Sequence, residues 1–185
     1  LAFSAFRNDR PIGSHTLTFH AAGNNLAVDI DVRFAVGFGP ITLYRYTMQG
    51  TERWVDGQFA GLETVTNDNG TAHHIVVRRD GNQLLAQSAN GIGWTLPVSS
   101  LPLTHWTVAA MSAGLFNPQD GKPILDQVQP LGLDTLRLAD GSSVRAESYH
   151  LTGELALQDW YDRTGLWLAL RAKAKDGSVI DYRRL

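Results

Sequence analysis

The chain has 185 residues, 43% hydrophobic and 18% charged, with five Trp, five Tyr and seven Phe; this length suits one domain, 1–185, with its own core, and this composition excludes a disordered chain. A formal charge of −2, from 16 basic and 18 acidic side chains, excludes the basic field needed to bind nucleic-acid phosphates. No window approaches the roughly 18 consecutive apolar residues of a membrane-spanning helix, and the absence of Cys excludes a disulfide framework, a thiol nucleophile and a thiolate metal site.

From the N-terminus, strands are predicted over 2–8, 12–21, 24–36, 41–55, 58–67, 72–80, 83–88 and 91–96. The cleanest alternation runs from Leu26 to Val36, where Leu26, Val28, Ile30, Val32, Phe34 and Val36 share one face. His15, Leu17 and Phe19 share another, so His15 reads as a satisfied core residue. Gly37 and Gly39, before Pro40, suit a bend.

Tyr44, Tyr46, Met48, Glu52 and Trp54 fall on one face of the 41–55 strand, an aromatic wall bearing one carboxylate. If that face is interior, Glu52 has a raised pKa and suits acid/base work; the alternative is an ion pair with Arg45 or Arg78. His73-His74 resembles a metal signature, but neighbouring side chains on a strand point to opposite faces, so no metal or cofactor site is expected there. Which of the two faces inward depends on register.

Asp56-Gly57, Asn69-Gly70, Asp80-Gly81, Asn90-Gly91, Asp120-Gly121, Asp140-Gly141 and Asp176-Gly177 each suit a tight hairpin, because Asn, Asp and Gly tolerate the positive φ of a type I′ turn. The rhythm breaks from Pro97 to Pro130, which holds five of the seven prolines and the apolar run Trp106 to Phe116. A short helix is predicted near 106–114, within a plug or lid over 97–121. His105-Trp106 opens this segment, as binding residues or as helix-start packing.

Further strands are predicted over 122–129, 132–139, 143–153, 155–162, 165–175 and 178–184. Leu166, Leu168 and Leu170 are set opposite Trp167, Ala169 and Arg171. Trp160-Tyr161-Asp162 reads either as a pocket edge or as an aromatic corner plus a turn, and Arg171, Lys173, Lys175, Arg183 and Arg184 as a solvated face. The fold class is therefore mainly β: an antiparallel curved sheet forming a barrel or half-barrel, with one short helix or lid segment around 97–121.

Thr51-Glu52-Arg53-Trp54-Val55-Asp56-Gly57, Thr66-Asn67-Asp68-Asn69-Gly70 and Trp160-Tyr161-Asp162, with Ile12-Gly13, His105-Trp106 and Tyr149-His150-Leu151-Thr152-Gly153, resemble an uncharacterised family of proteobacterial exported proteins. The resemblance implies export to the periplasm and a β fold akin to the open barrels of lipoprotein carriers; it supplies no catalytic residues. The first residue, Leu1, is expected to follow removal of an upstream segment, by a signal peptidase or in preparing the protein.

The leading expectation is a periplasmic or secreted protein that binds a lipid or other hydrophobic small molecule, with Tyr44, Tyr46, Trp54, Trp106 and Trp160 as ligand-binding residues. The alternative is a small barrel enzyme, a lyase, isomerase or hydrolase, using Glu52, His74, His105, Tyr161 and Asp162. A second alternative is a structural or assembly factor working through an exposed sheet edge.

Overall fold

The computed structural model describes residues 1–38, 41–138, 141–174 and 176–185. The first half is an antiparallel meander of β1 (Ala2–Arg7), β2 (Arg10–Ala22), β3 (Asn25–Phe38), β4 (Ile41–Val55), β5 (Gln58–Asp68), β6 (Thr71–Asp80), β7 (Gln83–Ser88) and β8 (Gly93–Pro97). A crossing segment follows, 98–126, carrying β9 (Leu101–Pro102), β10 (Leu115–Phe116), β11 (Pro123–Ile124) and one turn of 3-10 helix, Val108–Ser112. The second meander is β12 (Gln127–Arg137), β13 (Ser143–Thr152), β14 (Leu157–Tyr161), β15 (Trp167–Lys173) and β16 (Val179–Arg184).

Antiparallel pairing of β16 with β1 joins the two meanders, so thirteen strands among the described residues form one sheet whose edges are β12 and β8. Those edges do not pair, and the sheet stays open. The crossing segment connects them, reaching both halves: Thr64 Oγ1 donates to the Pro118 carbonyl at 2.6 Å, and Val108 N donates to the Gly165 carbonyl at 3.0 Å. The architecture is thus an open, curved antiparallel sheet spanned by a largely irregular strap.

Turn chemistry accounts for much of the register. Asp56-Gly57 and Asn69-Gly70 have positive φ at both residues, 51° and 74° and then 50° and 98°, as a type I′ hairpin requires. Asp80 instead stays in β6, paired with Gln83, and the turn lies one residue later than predicted. Asn8-Asp9 makes the β1–β2 turn with φ of 47° and 62° and no glycine, which the dipeptide signal missed. Gly39, Pro40, Asp140 and Lys175, to which a bend, a turn and a solvated position were assigned, lie outside the described residues.

Two bulges correct the predicted strands. The break expected between 122–129 and 132–139 is a register shift at Pro130/Gly132 inside a single strand, β12, because a bulge on an edge strand accommodates the missing N–H of proline. The second lies opposite Trp160 and Tyr161, which pair with Ala169 and Trp167 and leave Leu168 between. Leu166, Leu168 and Leu170 therefore do not share a face. Trp167 and Leu170 join the main core, whereas Leu168 packs with Trp160 and Ala146 in a small separate cluster.

The main core fills the space between the inner face of the sheet and the crossing segment. Towards the Trp54 end of β4 it is closely filled: Phe59, Leu62, Val77, Leu84 and Phe116 are buried, and the rings of Phe59 and Phe116 meet edge-on at 5.9 Å. Around Trp167 it is aromatic, with the Phe3 ring centroid 4.1 Å away. Towards the Tyr44 end of β4 the filling stops and a cavity begins.

Candidate functional site

That cavity, of about 290 Å³, lies between β2, β3, β4, β14 and β16 on the sheet side and residues 103–105, 117–118, 124 and 155 opposite. Ile30, Val32, Phe34, Tyr46 and Met48 form an apolar wall, and His15, Thr104, His105 and Tyr182 bring polar groups to it. Asp126 fixes the loop that carries Leu155, its carboxylate accepting from Glu154 N at 3.0 Å and Leu155 N at 2.9 Å. Phe34 and Tyr44 also line an outer, mainly apolar groove of about 630 Å³ with Ile12, Val36, Leu43, Ile180 and the paired Arg7 and Asp176, so these two rings stand between cavity and groove.

His105 is the most constrained residue of the site. Its φ is 67°, and Trp106 N donates to the Thr104 carbonyl at 2.9 Å, closing a tight three-residue turn around a non-glycine residue. The turn directs the His105 ring one way and its two neighbours another. Nδ1 lies 2.9 Å from Asp159 Oδ2, and the ring stacks on Trp167 with centroids 5.0 Å apart. Asp159, fully buried on β14, also accepts from Trp167 Nε1 at 2.9 Å. This is a carboxylate orienting an imidazole, with an indole fixing the carboxylate.

His15 stands against the same indole, its ring 5.3 Å from Trp167 and 5.7 Å from Tyr182. Burial pushes its pKa down to about 3, so it is neutral, with the nearby His105 adding to the shift. It is buried as its strand pattern predicts, but Nε2 has no hydrogen-bond partner, so it is not a satisfied core histidine.

Thr104 and Trp106 turn instead to Glu52. This fully buried carboxylate accepts from Trp54 Nε1 at 2.6 Å, Thr104 Oγ1 at 2.8 Å and Trp106 Nε1 at 3.2 Å. Burial raises its pKa to about 7, against the opposing effect of the three donors. The predicted alternative, a pair with Arg45 or Arg78, is not what the structure holds: Glu52, steadied by the Trp54 indole of its own strand, fastens the crossing segment to β4 through the Trp106 indole and the Thr104 hydroxyl. The Trp54 and Trp106 rings meet edge-on at 5.6 Å.

The sequence-derived candidates therefore separate. His105, Tyr44 and Tyr46 line the cavity; Glu52, Trp54 and Trp106 form the adjoining latch, sharing Thr104 with it. Tyr161 is buried beside Tyr149 with no partner for its hydroxyl, and burial raises its pKa well above the usual tyrosine value. Asp162 caps a turn: burial pulls its pKa up, but hydrogen bonds from Thr164 and Leu166 outweigh this and hold it below the usual range. Trp160 lies on the opposite sheet face, donating to Asp134 at 3.3 Å. His74 sits on the outer face with Glu63 at 3.1 Å, while His73 shares the inward-facing side of β6 with Ile75 and Val77.

Asp159, His15 and Trp167 were not among the predicted site residues. Asp159 shares a face with Tyr161 two residues on, which was the available signal. No group of three or more His, Asp or Glu able to hold a metal occurs among the described residues, and no helix is long and apolar enough to cross a membrane.

No curated protein matches the chain. Among solved structures it is similar to a β-barrel-like protein of domain of unknown function DUF1849 from Brucella abortus, with a TM-score of 0.69 and 7% identity over 100% of this chain and 94% of that one. At that identity the likeness is one of fold, and it agrees with the open, barrel-like sheet described above. Residues 3–185, nearly the whole chain, match the family model for domain of unknown function DUF6134, and the chain belongs to that family.

Proposed function

We propose that this protein binds a lipid or other hydrophobic small molecule in the space between the sheet and its crossing segment. The carrying observation is the apolar, partly aromatic cavity of about 290 Å³, which shares Phe34 and Tyr44 with the outer groove. Ligand pockets typically span roughly 300–1,000 Å³. The cavity alone falls just below that range, and together with the groove the space accommodates an extended apolar molecule. Most of the residues proposed for acid/base chemistry lie elsewhere, which weighs against an enzyme built on them.

Native mass spectrometry of protein purified from its own source, followed by denaturing extraction, tests this reading. A stoichiometric apolar compound is the expected result. An empty protein that also fails to bind hydrophobic probes would overturn it.

A second reading, an acid/base enzyme, rests on the His105–Asp159 pair, since a carboxylate-oriented imidazole in a cavity is an arrangement that moves protons. Loss of turnover in a His105→Ala variant that still binds ligand would favour it. For location we propose the periplasm or the cell exterior, supported by the resemblance to exported proteins; the cysteine-free composition is compatible with it. Recovery in the cytosolic fraction of its native cells would exclude this.

A further inference from the structure

The polar end of the cavity narrows the chemistry of its ligand; this step rests on the binding reading. Asp159 Oδ2 lies 2.9 Å from His105 Nδ1, and because a carboxylate oxygen accepts, that nitrogen carries the hydrogen. The other Asp159 oxygen is occupied by the Trp167 indole. In the neutral ring, Nε2 is left as an acceptor on a side chain that lines the cavity.

Fixed charge is missing from this lining. Among the described residues it includes no Lys, Arg, Asp or Glu, and the second imidazole, His15, is held neutral by burial. Behind the wall stand Asp159 and Glu52, both fully buried. An acidic headgroup would lose its hydration facing those carboxyl groups, without a permanent cation to replace the water. A hydroxyl group avoids that cost and donates to Nε2.

We propose that the cavity takes a neutral amphiphile, an alcohol with a long or polycyclic hydrocarbon body, its hydroxyl hydrogen-bonded to His105 and its body passing Phe34 and Tyr44 into the outer groove.

The test uses the full chain, stripped of co-purified small molecules, and three probes of similar length: 1-decanol, decyl methyl ether and decanoate. Binding is followed at pH 8 by indole fluorescence. Decanol is expected to bind about fivefold more tightly than the ether, which lacks the donor, and at least about tenfold more tightly than decanoate. His105→Leu should close the gap between decanol and the ether, read as the ratio of their two affinities so that any change of the pocket common to both cancels. Tighter binding of decanoate would overturn the headgroup class and leave the binding reading standing. Equal affinities for decanol and ether in the wild-type chain would overturn the hydrogen bond. Failure of all three probes to bind would remove both readings.

Discussion

The two ends of β4 face the same crossing segment and meet it in opposite ways. Around Glu52 and Trp54 the segment is sealed down, with three donors on one carboxylate and the rings of Phe59 and Phe116 packed behind. Around Tyr44 and Tyr46 it stands off, leaving a cavity of about 290 Å³. Three consecutive residues divide the work: Thr104 and Trp106 fasten to the sealed side, while His105, at positive φ, serves the hollow side. The latch holds the segment, so the cavity does not depend on the segment packing down over it.

The sharpest way to break this comparison is to truncate an aromatic ring at each end. Phe116 is fully buried among filled neighbours, and Phe116→Ala should cost about 3–5 kcal/mol. Phe34 is half-buried and already borders the cavity, so Phe34→Ala should cost about 1 kcal/mol and reduce ligand affinity instead. Denaturant unfolding of both variants measures this. Equal losses would mean that the two ends are packed alike.

The latch carries a pH signature of known sign. Glu52 has a folded pKa of about 7 against an ordinary value of 4.5. Below pH 4.5 both folded and unfolded states hold the proton. Between 4.5 and 7 the unfolded chain has released it and the folded chain retains it, so this group's stabilising contribution falls as pH rises through that window and is constant above it. The change is on the order of 3 kcal/mol. Glu52→Gln removes this dependence, at a pH-independent cost of roughly 1–2 kcal/mol for turning an amide N–H towards the Trp54 indole. The stability difference should therefore move in the variant's favour by about 2–3 kcal/mol from pH 5 to pH 8, enough to reverse its sign; a difference independent of pH would show that Glu52 does not titrate there.

On the hollow side, Asp159→Ala leaves the Trp167 N–H and the His105 ring without their shared acceptor and should cost about 2–3 kcal/mol. Asp159→Asn keeps an acceptor for one of them and should lose less. Chemical denaturation separates the two. If both variants unfold like wild type, the carboxylate is not what holds the imidazole in place.

Much of this was legible before the structure. Alternation from Leu26 to Val36 places that face inward, and the Asx-Gly dipeptides locate most of the hairpins, because side-chain period and positive φ are local properties. The pairing of β16 with β1 was not legible, since it joins residues at opposite ends of the chain. The site was read in part. Tyr44, Tyr46, Met48, Glu52 and Trp54 do share a face, but only the crossing segment divides that face into a lined cavity and a latch. Asp159 was passed over because an acid on a strand usually marks the solvent side, and its burial depends on the His105 turn and the Trp167 indole, both remote in sequence. Trp167 was misplaced because a bulge opposite Trp160 and Tyr161 reverses the alternation, and the sequence carries no glycine or proline there to announce it.

The smallest expected effect separates the histidines. His74 is predicted by the sequence to be a candidate acid or base, yet its side chain is 41% exposed on the outer face, paired with a Glu63 that is 50% exposed. Exposed pairs of this kind contribute about 0–1 kcal/mol, so His74→Ala should change stability by less than about 0.5 kcal/mol. It should also leave probe binding unchanged, because no part of the cavity wall rests on it. His105→Ala, by contrast, should retain the fold and weaken decanol binding about fivefold, the worth of one neutral hydrogen bond. Titrating both variants with decanol is a direct comparison of the two faces of the sheet: matching losses would move the binding site away from the crossing segment, whereas a loss confined to His105 places the ligand beneath it.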